Sequence, residues 1–190
     1  MDKQFALNQL RHKINAFIYM CASSQLLNSD AIEHLTGVSI IINDEGVIYN
    51  FNDNDMVNGS IEIDLTQIIA VKRHDNSNFN VDLKEFYKFV RRNLIKESYE
   101  VVYEYARSNN KITALKAEPW YWYARVIRNT VSHSLRYEFK ANDIRNALPI
   151  QWEGKTIDIS LDGTVMKEDA ADALTTLRLV YEMQDFVTKY

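Results

Sequence analysis

Residues 119–137, PWYWYARVIRNTVSHSLRY, decide the fold of this chain, because their periodicity predicts an amphipathic helix that ends near Leu135. Pro119 suits the first turn of a helix, where a missing N–H removes no hydrogen bond. At about 100° per residue, six polar side chains fall within a sector of roughly 140°. They are Arg125, Arg128, Asn129, Ser132, His133 and Arg136. The opposite side is apolar, so we expect it to pack on a core.

Three further helices are predicted from apolar residues at three- and four-residue steps. The first covers residues 3–27. A long helix starts at Asp82, which with Glu85 resembles a capping box, and runs to about Arg107. The last covers about 167–187. The chain contains only 5 Gly and 2 Pro, so helices of this length meet few interruptions.

Between the first two helices, residues 38–72 have a different pattern. Val38–Ile42 and Val47–Phe51 are rich in β-forming residues and predict a hairpin across Asn43–Gly46. Residues 50–60 predict a loop, and residues 60–72 are ambiguous between a strand and a short helix.

A second hairpin is predicted near the C-terminus, where Leu148–Trp152 and Thr156–Leu161 are joined through Glu153-Gly154-Lys155. A polar connector is expected at residues 75–81. The predicted fold class is mostly α, a helical bundle with one or two inserted β-hairpins. We expect a single domain over residues 1–190.

The composition is typical of a folded globular domain: 190 residues, 46% hydrophobic and 25% charged. A net charge of −4 argues against non-specific coating of nucleic acid, but it leaves room for an enzyme with a local basic site. The single Cys21 and four scattered histidines show no zinc-ligand spacing, so we expect no metal and no cofactor. With no signal-peptide core and no apolar stretch of about 20 residues, a cytoplasmic protein without a membrane contact is expected.

The polar face of residues 119–137 suits phosphate chemistry, because it carries three arginines and no acidic residue lies between Pro119 and Tyr137. Metal-free cleavage of RNA removes a proton from the ribose 2′-hydroxyl and adds one to the leaving 5′-oxygen. Histidine can do either near neutral pH, and arginine stabilises charge on the phosphate. Asn129, four positions before His133, could orient the imidazole. One histidine cannot easily serve as both acid and base.

Arg128-Asn129-x-x-x-His133 resembles the signature of the HEPN superfamily, in which four to six residues separate an arginine from a histidine near the end of a helix. The resemblance covers six residues, supported by a HEPN-like helical bundle in the prediction; residues 38–72 look like an elaboration. It implies a metal-independent endoribonuclease, of a kind often found in toxin–antitoxin or phage-defence systems. It also implies a homodimer in which two motif helices form one composite cleft, with RNA as substrate and an antitoxin as a further partner.

The resemblance assigns catalysis to Arg128 and His133, with Asn129 in support. Substrate-binding candidates are Arg125, Ser132, Arg136 and Tyr137. An acidic residue of the preceding helix, Glu100 or Glu104, would help to position the motif.

Other interpretations remain open at this point. Arg128 could belong to an Arg–Glu network with Glu97, Glu100 and Glu104 that only stabilises the bundle. The chain could be a non-catalytic HEPN-like module that binds RNA, nucleotides or a protein, or a structural interaction protein.

Two further features of the sequence have ordinary and functional interpretations. The rings of Trp120–Tyr123 could stack on RNA bases, although core or dimer interface is the commoner role of such a cluster. The basic clusters Lys72–His74 and Arg91–Arg92 are either solvated surface or support for RNA binding.

Overall fold

The computed structural model describes residues 1–29, 32, 34, 39–43, 46–50, 61–74 and 76–190. The protein is mostly helical with small antiparallel β elements, which confirms the predicted fold class of a helical bundle with β-hairpins. The chain divides into two compact units, a larger one (Met1–Tyr19 with Lys88–Tyr190) and a smaller one (Met20–Tyr87). The single-domain assignment stays a prediction.

The helices of the described residues are, in chain order, α1 (Lys3–Asn28), α2 (Leu65–His74), α3 (Asn76–Ser108), α4 (Ile112–Ala117), α5 (Tyr121–Ser132), α6 (Asn142–Ala147) and α7 (Ala173–Lys189). The strands are β1 (Ser39–Asn43), β2 (Gly46–Asn50), β3 (Ile61–Asp64), β4 (Ile150–Trp152) and β5 (Lys155–Ile157). None of the helices described combines the length and the apolar character that crossing a membrane requires.

The core of the larger unit forms around α5, whose apolar side is buried as its periodicity predicts. Ile127 is fully buried there and belongs to one cluster with Ile95 of α3 and Leu179 of α7. Trp120, Tyr121 and Tyr123 are also buried, at 1% exposure or less. These three rings pack in the core and cannot stack on RNA bases, whereas Trp122 is only partly buried.

The hairpin of β4 and β5 confirms that a hairpin forms here, but its strands are shorter than predicted. Lys155 belongs to β5 and not to the turn, and Ile159–Leu161 forms a 3₁₀ turn in place of the end of the second strand. The strands pair antiparallel with Trp152 opposite Lys155, which leaves a two-residue turn. Both turn residues have positive φ, 48° at Glu153 and 72° at Gly154. A two-residue hairpin turn that matches the twist of the strands requires this conformation.

The smaller unit contains a three-stranded antiparallel sheet in the order β2-β1-β3. Ile41 of β1 lies opposite Ile48 of β2 and Glu62 of β3. The predicted hairpin is confirmed in its strands, and the ambiguous stretch 60–72 supplies both a strand and a helix. Of the predicted loop 50–60, Asn50 is the last residue of β2, and residues 51–60 lie outside the described residues, as do residues 44 and 45 of the predicted turn.

Several predicted helix ends were wrong. The long helix begins at Asn76, so Asp82 lies inside it and does not cap it, and most of the predicted connector is helical. Adding residues to an existing helix costs little, because each one brings a hydrogen bond. α7 begins after a 3₁₀ turn, with Asp172 as N-cap accepting from the Thr175 amide at 2.7 Å.

Candidate functional site

The motif lies where α5 ends and the chain turns back. His133 is the first non-helical residue, with φ −120° and ψ −115°, so the helix ends before the predicted Leu135. The Leu135 amide donates to the Thr130 carbonyl at 3.1 Å, and Leu135 has φ 58°. This tight turn leads into an extended segment, residues 136–140, in which exposed and buried side chains alternate. The segment is thereby placed beside the last turn of α5.

A cleft of about 220 Å³, the motif cleft, lies between the last turn of α5 and this extended segment. Asn129 and His133 line it from the helix side, and Arg136, Glu138 and Lys140 from the segment. The Lys140 ammonium contacts the Glu138 carboxylate at 2.8 Å. That hydrogen bond lowers the pKa of Glu138. At neutral pH the cleft thus presents an imidazole, an amide and two cations, with one carboxylate.

Arg128 lies behind the motif cleft, where neighbouring side chains hold it. Its Nη2 donates to Glu100 Oε1 of α3, and its Nη1 donates to Asn129 Oδ1 at 3.0 Å. Its guanidinium carbon lies 5.9 Å from the centre of the Tyr99 ring. Of the two carboxylates predicted to position the motif, Glu100 is the one that contacts Arg128, whereas Glu104 pairs with Arg107 at 2.6 Å.

Asn129 connects Arg128 to the motif cleft. Because its Oδ1 accepts from Arg128, its Nδ2 remains a donor that can face an anion in the cleft. Among the described residues, no hydrogen bond joins Asn129 to His133, although both line the same cleft. His133 is exposed to solvent. In this structure Asn129 is therefore hydrogen-bonded to Arg128 and not to the imidazole.

Arg125, a predicted substrate-binding residue, is engaged elsewhere. Its Nη1 donates to Asp143 of α6, and its guanidinium carbon lies 5.4 Å from the Trp122 ring centre. Burial lowers the pKa of Arg125, but the hydrogen bond and charge of Asp143, together with Tyr121 and Tyr99, outweigh burial and raise it. Arg125 links α5 to α6 and does not line the motif cleft.

Two other predicted substrate-binding residues also lie outside the motif cleft. The Ser132 hydroxyl is buried without a hydrogen-bond partner among the described residues. Tyr137 is 3% exposed and lines a separate cavity with Tyr123, and burial raises its pKa. Arg136 does line the motif cleft, and its Nη1 donates to the Gly163 carbonyl at 3.0 Å.

Sequence reasoning missed Glu138 and Lys140 as parts of the site. They lie beyond the predicted helix, so the helical periodicity that grouped the polar residues up to Arg136 does not apply to them. A signal was present in residues 136–140, RYEFK, because alternation of polar and aromatic residues is typical of an extended segment with one buried face.

Comparisons of the chain with protein-family models, with curated proteins and with solved structures found no match.

Proposed function

We propose that the protein is a metal-independent endoribonuclease of the HEPN type, and that the motif cleft is its active site. The observation that supports this proposal is that His133 and Asn129 share one small cleft with Arg136 and Lys140. Permanent positive charge beside an exposed imidazole is the combination that cleavage of a phosphodiester by proton transfer requires.

In the proposed reaction, the 2′-oxygen of a ribose forms a bond to phosphorus as the bond from phosphorus to the 5′-oxygen of the next nucleotide breaks. A base removes the proton of the 2′-hydroxyl, and an acid protonates the departing 5′-oxygen. The products are a 2′,3′-cyclic phosphate and a 5′-hydroxyl. Arg136, Lys140 and the Asn129 amide donate to the phosphate oxygens as negative charge develops.

The cleft of one protomer supplies a single histidine, whereas the reaction needs a base and an acid. We therefore propose a homodimer in which the His133 side chains of two protomers face one phosphodiester. Arg128 has a positioning role in this scheme, since it holds the Asn129 amide by its carbonyl oxygen and leaves the amide nitrogen for the substrate.

The test is cleavage of labelled single-stranded RNA in the presence of EDTA. We expect His133→Ala to lower the cleavage rate by about 10²- to 10⁴-fold, the usual contribution of one general acid or base. His12→Ala is a matched control, because it makes the same change at an exposed position of α1 outside the motif cleft. We expect it to cleave at the wild-type rate.

Two measurements distinguish cleavage by the proposed mechanism from cleavage by a contaminating nuclease: the use of DNA as a substrate and the chemistry of the product ends. DNA of the same sequence should stay intact, because it lacks the 2′-hydroxyl, and the RNA products should carry 2′,3′-cyclic phosphate ends. Intact RNA with the wild-type protein, or equal cleavage by wild type and His133→Ala, would refute the proposal. Binding of RNA without cleavage would instead indicate a non-catalytic module.

The dimer is tested by sedimentation of the active protein. We expect a two-chain species at the concentrations where cleavage is observed, and specific activity should fall on dilution below its dissociation constant. A monomer with full specific activity would refute the composite site. Growth arrest on expression, relieved by His133→Ala, would support a toxin and with it an antitoxin partner.

A further inference from the structure

A second cationic cleft, the α3 cleft, lies in the larger unit outside the motif cleft. It has a volume of about 250 Å³ and lies between α3 and the segment of residues 165–171. Four cationic side chains line it, with one carboxylate: Lys88, Arg91, Arg92, Lys167 and Glu168. This surface is strongly positive although the whole chain has a net charge of −4.

The positive charges of the α3 cleft are only partly balanced within the protein. Lys88 contacts the Glu168 carboxylate at 2.6 Å. Among the residues that the structure describes, neither Arg91 nor Arg92 forms an ion pair, and the Nε of Arg91 is buried without a hydrogen-bond partner. The terminal guanidinium N–H groups of both arginines also have no acceptor among the described residues, so an anion in the cleft can accept hydrogen bonds from them.

The spacing of these cations also costs stability within the helix. Lys88 lies three residues before Arg91 and four before Arg92, so the three side chains share one face of α3. Like charges at these spacings repel and weaken a helix. An anion bound between the three charges would relieve this repulsion.

The α3 cleft adjoins the motif cleft along the chain. Leu135 lines the α3 cleft and Arg136 lines the motif cleft, and consecutive Cα atoms are about 3.8 Å apart. A strand of RNA that passes from one cleft to the other would place one phosphate in each.

We infer that the α3 cleft is a binding site for a backbone phosphate of single-stranded RNA, adjacent to the phosphodiester that is cut. This inference rests on the proposed ribonuclease function, which supplies the RNA. Arg91 and Arg92 bind the phosphate oxygens with their planar guanidinium groups. Glu168 opposes binding, because its carboxylate competes with the phosphate for Lys88.

The test measures binding of a fluorescent single-stranded oligoribonucleotide by anisotropy over a series of KCl concentrations, with the His133→Ala chain so that the RNA stays intact. We expect Arg91→Gln and Arg92→Gln each to weaken binding by about tenfold. Each should also reduce the slope of log affinity against log salt by about 0.7, the value for one phosphate of a single strand.

Glu168→Gln should tighten binding, since it removes the competing carboxylate. A gain in affinity cannot result from misfolding, so this variant tests the site even if Arg91→Gln disturbs the fold. Arg107→Gln is the matched control, because it makes the same change on the same helix at an exposed position outside the cleft. It should leave the affinity and the salt slope unchanged.

The outcomes separate the two proposals. If wild type cleaves RNA but the Arg91 and Arg92 variants keep the full salt slope, the α3 cleft is not a phosphate site and the ribonuclease proposal stands. If wild type binds RNA without cutting it, and these variants show lower affinity and a smaller salt slope, the α3 cleft is supported as a phosphate site and the ribonuclease proposal fails. Binding of inorganic phosphate that Arg92→Gln weakens, with no effect on RNA, would overturn the inference in favour of a small phosphate ligand. Absence of RNA binding by the wild-type chain would also overturn it.

Discussion

The contact between Arg128 and Glu100 is the link between the motif and the long helix α3, and Glu100→Gln tests what it contributes. The substitution keeps the shape of the side chain and removes its charge. The amide oxygen of glutamine can still accept a hydrogen bond from Arg128, so the substitution removes the negative charge beside the guanidinium and not the acceptor. The Nε of Arg128 is already buried without a hydrogen-bond partner among the described residues, so the loss of the Glu100 charge leaves a poorly solvated cation.

The expected loss of stability depends on the exposure of the two side chains, which is 28% for Arg128 and 45% for Glu100. Pairs at the surface contribute about 0.2–1 kcal/mol, whereas breaking a fully buried pair costs about 3–5 kcal/mol. A half-exposed pair lies between these limits and nearer the lower one. We expect Glu100→Gln to lower the free energy of unfolding by about 1–2 kcal/mol, and Tm by about 3–6 °C.

The assay is urea unfolding followed by circular dichroism, for Glu100→Gln, Arg128→Met and the double variant. We expect a coupling energy of about 1 kcal/mol between the two positions. Glu104→Gln is the matched control, because it makes the same change on the same helix in an exposed pair with Arg107, and it should cost a few tenths of a kcal/mol.

Additive single-variant effects, with coupling below about 0.3 kcal/mol, would refute the assigned ion pair. The same variants separate a positioning role from a purely structural one. If Arg128 positions the Asn129 amide for the substrate, Glu100→Gln lowers kcat far more than it raises KM at a temperature well below Tm. An unchanged kcat would show that the contact between Arg128 and Glu100 only stabilises the fold.

Two predictions concern stability elsewhere in the larger unit. Burial raises the pKa of Asp172, but hydrogen bonds from Thr175 and the charge of Lys155 lower it more. Because the pKa is lower in the folded state than in the unfolded state, the ionised Asp172 carboxylate stabilises the fold above about pH 4. This stabilisation is lost as the pH falls through the folded-state pKa. Asp172→Ala should therefore cost about 1 kcal/mol at pH 7 and much less near pH 2, and an equal cost at both pH values in urea titrations would contradict the N-cap. Gly154→Ala should lower the free energy of unfolding by about 1 kcal/mol. The cost comes from the backbone, since φ is 72° and an added Cβ would meet no atom within 4 Å. An unchanged Tm would contradict the assigned turn conformation.

The amino-acid sequence was sufficient to predict the four longest helices and both hairpins, but not the short helices α4 and α6. The periodicity of α1 and α5 and the Glu153-Gly154 turn are local signals, in which neighbouring residues decide whether the backbone forms a helix or a turn. The start of α3 was mispredicted at Asp82, because a capping pattern gives no information on whether a helix already exists before it.

The sequence also determined the polar face of α5, since the helical repeat alone brings Arg125, Arg128 and Asn129 to one side. Only the tertiary structure decided what each polar residue on that face contacts. Glu100 and Asp143 bind Arg128 and Arg125 from distant positions in the chain, so these two arginines do not line the motif cleft. Lys140 reaches that cleft because of a turn after the helix. Such contacts depend on how elements far apart in sequence pack, and a periodicity of 3.6 residues carries no information about them.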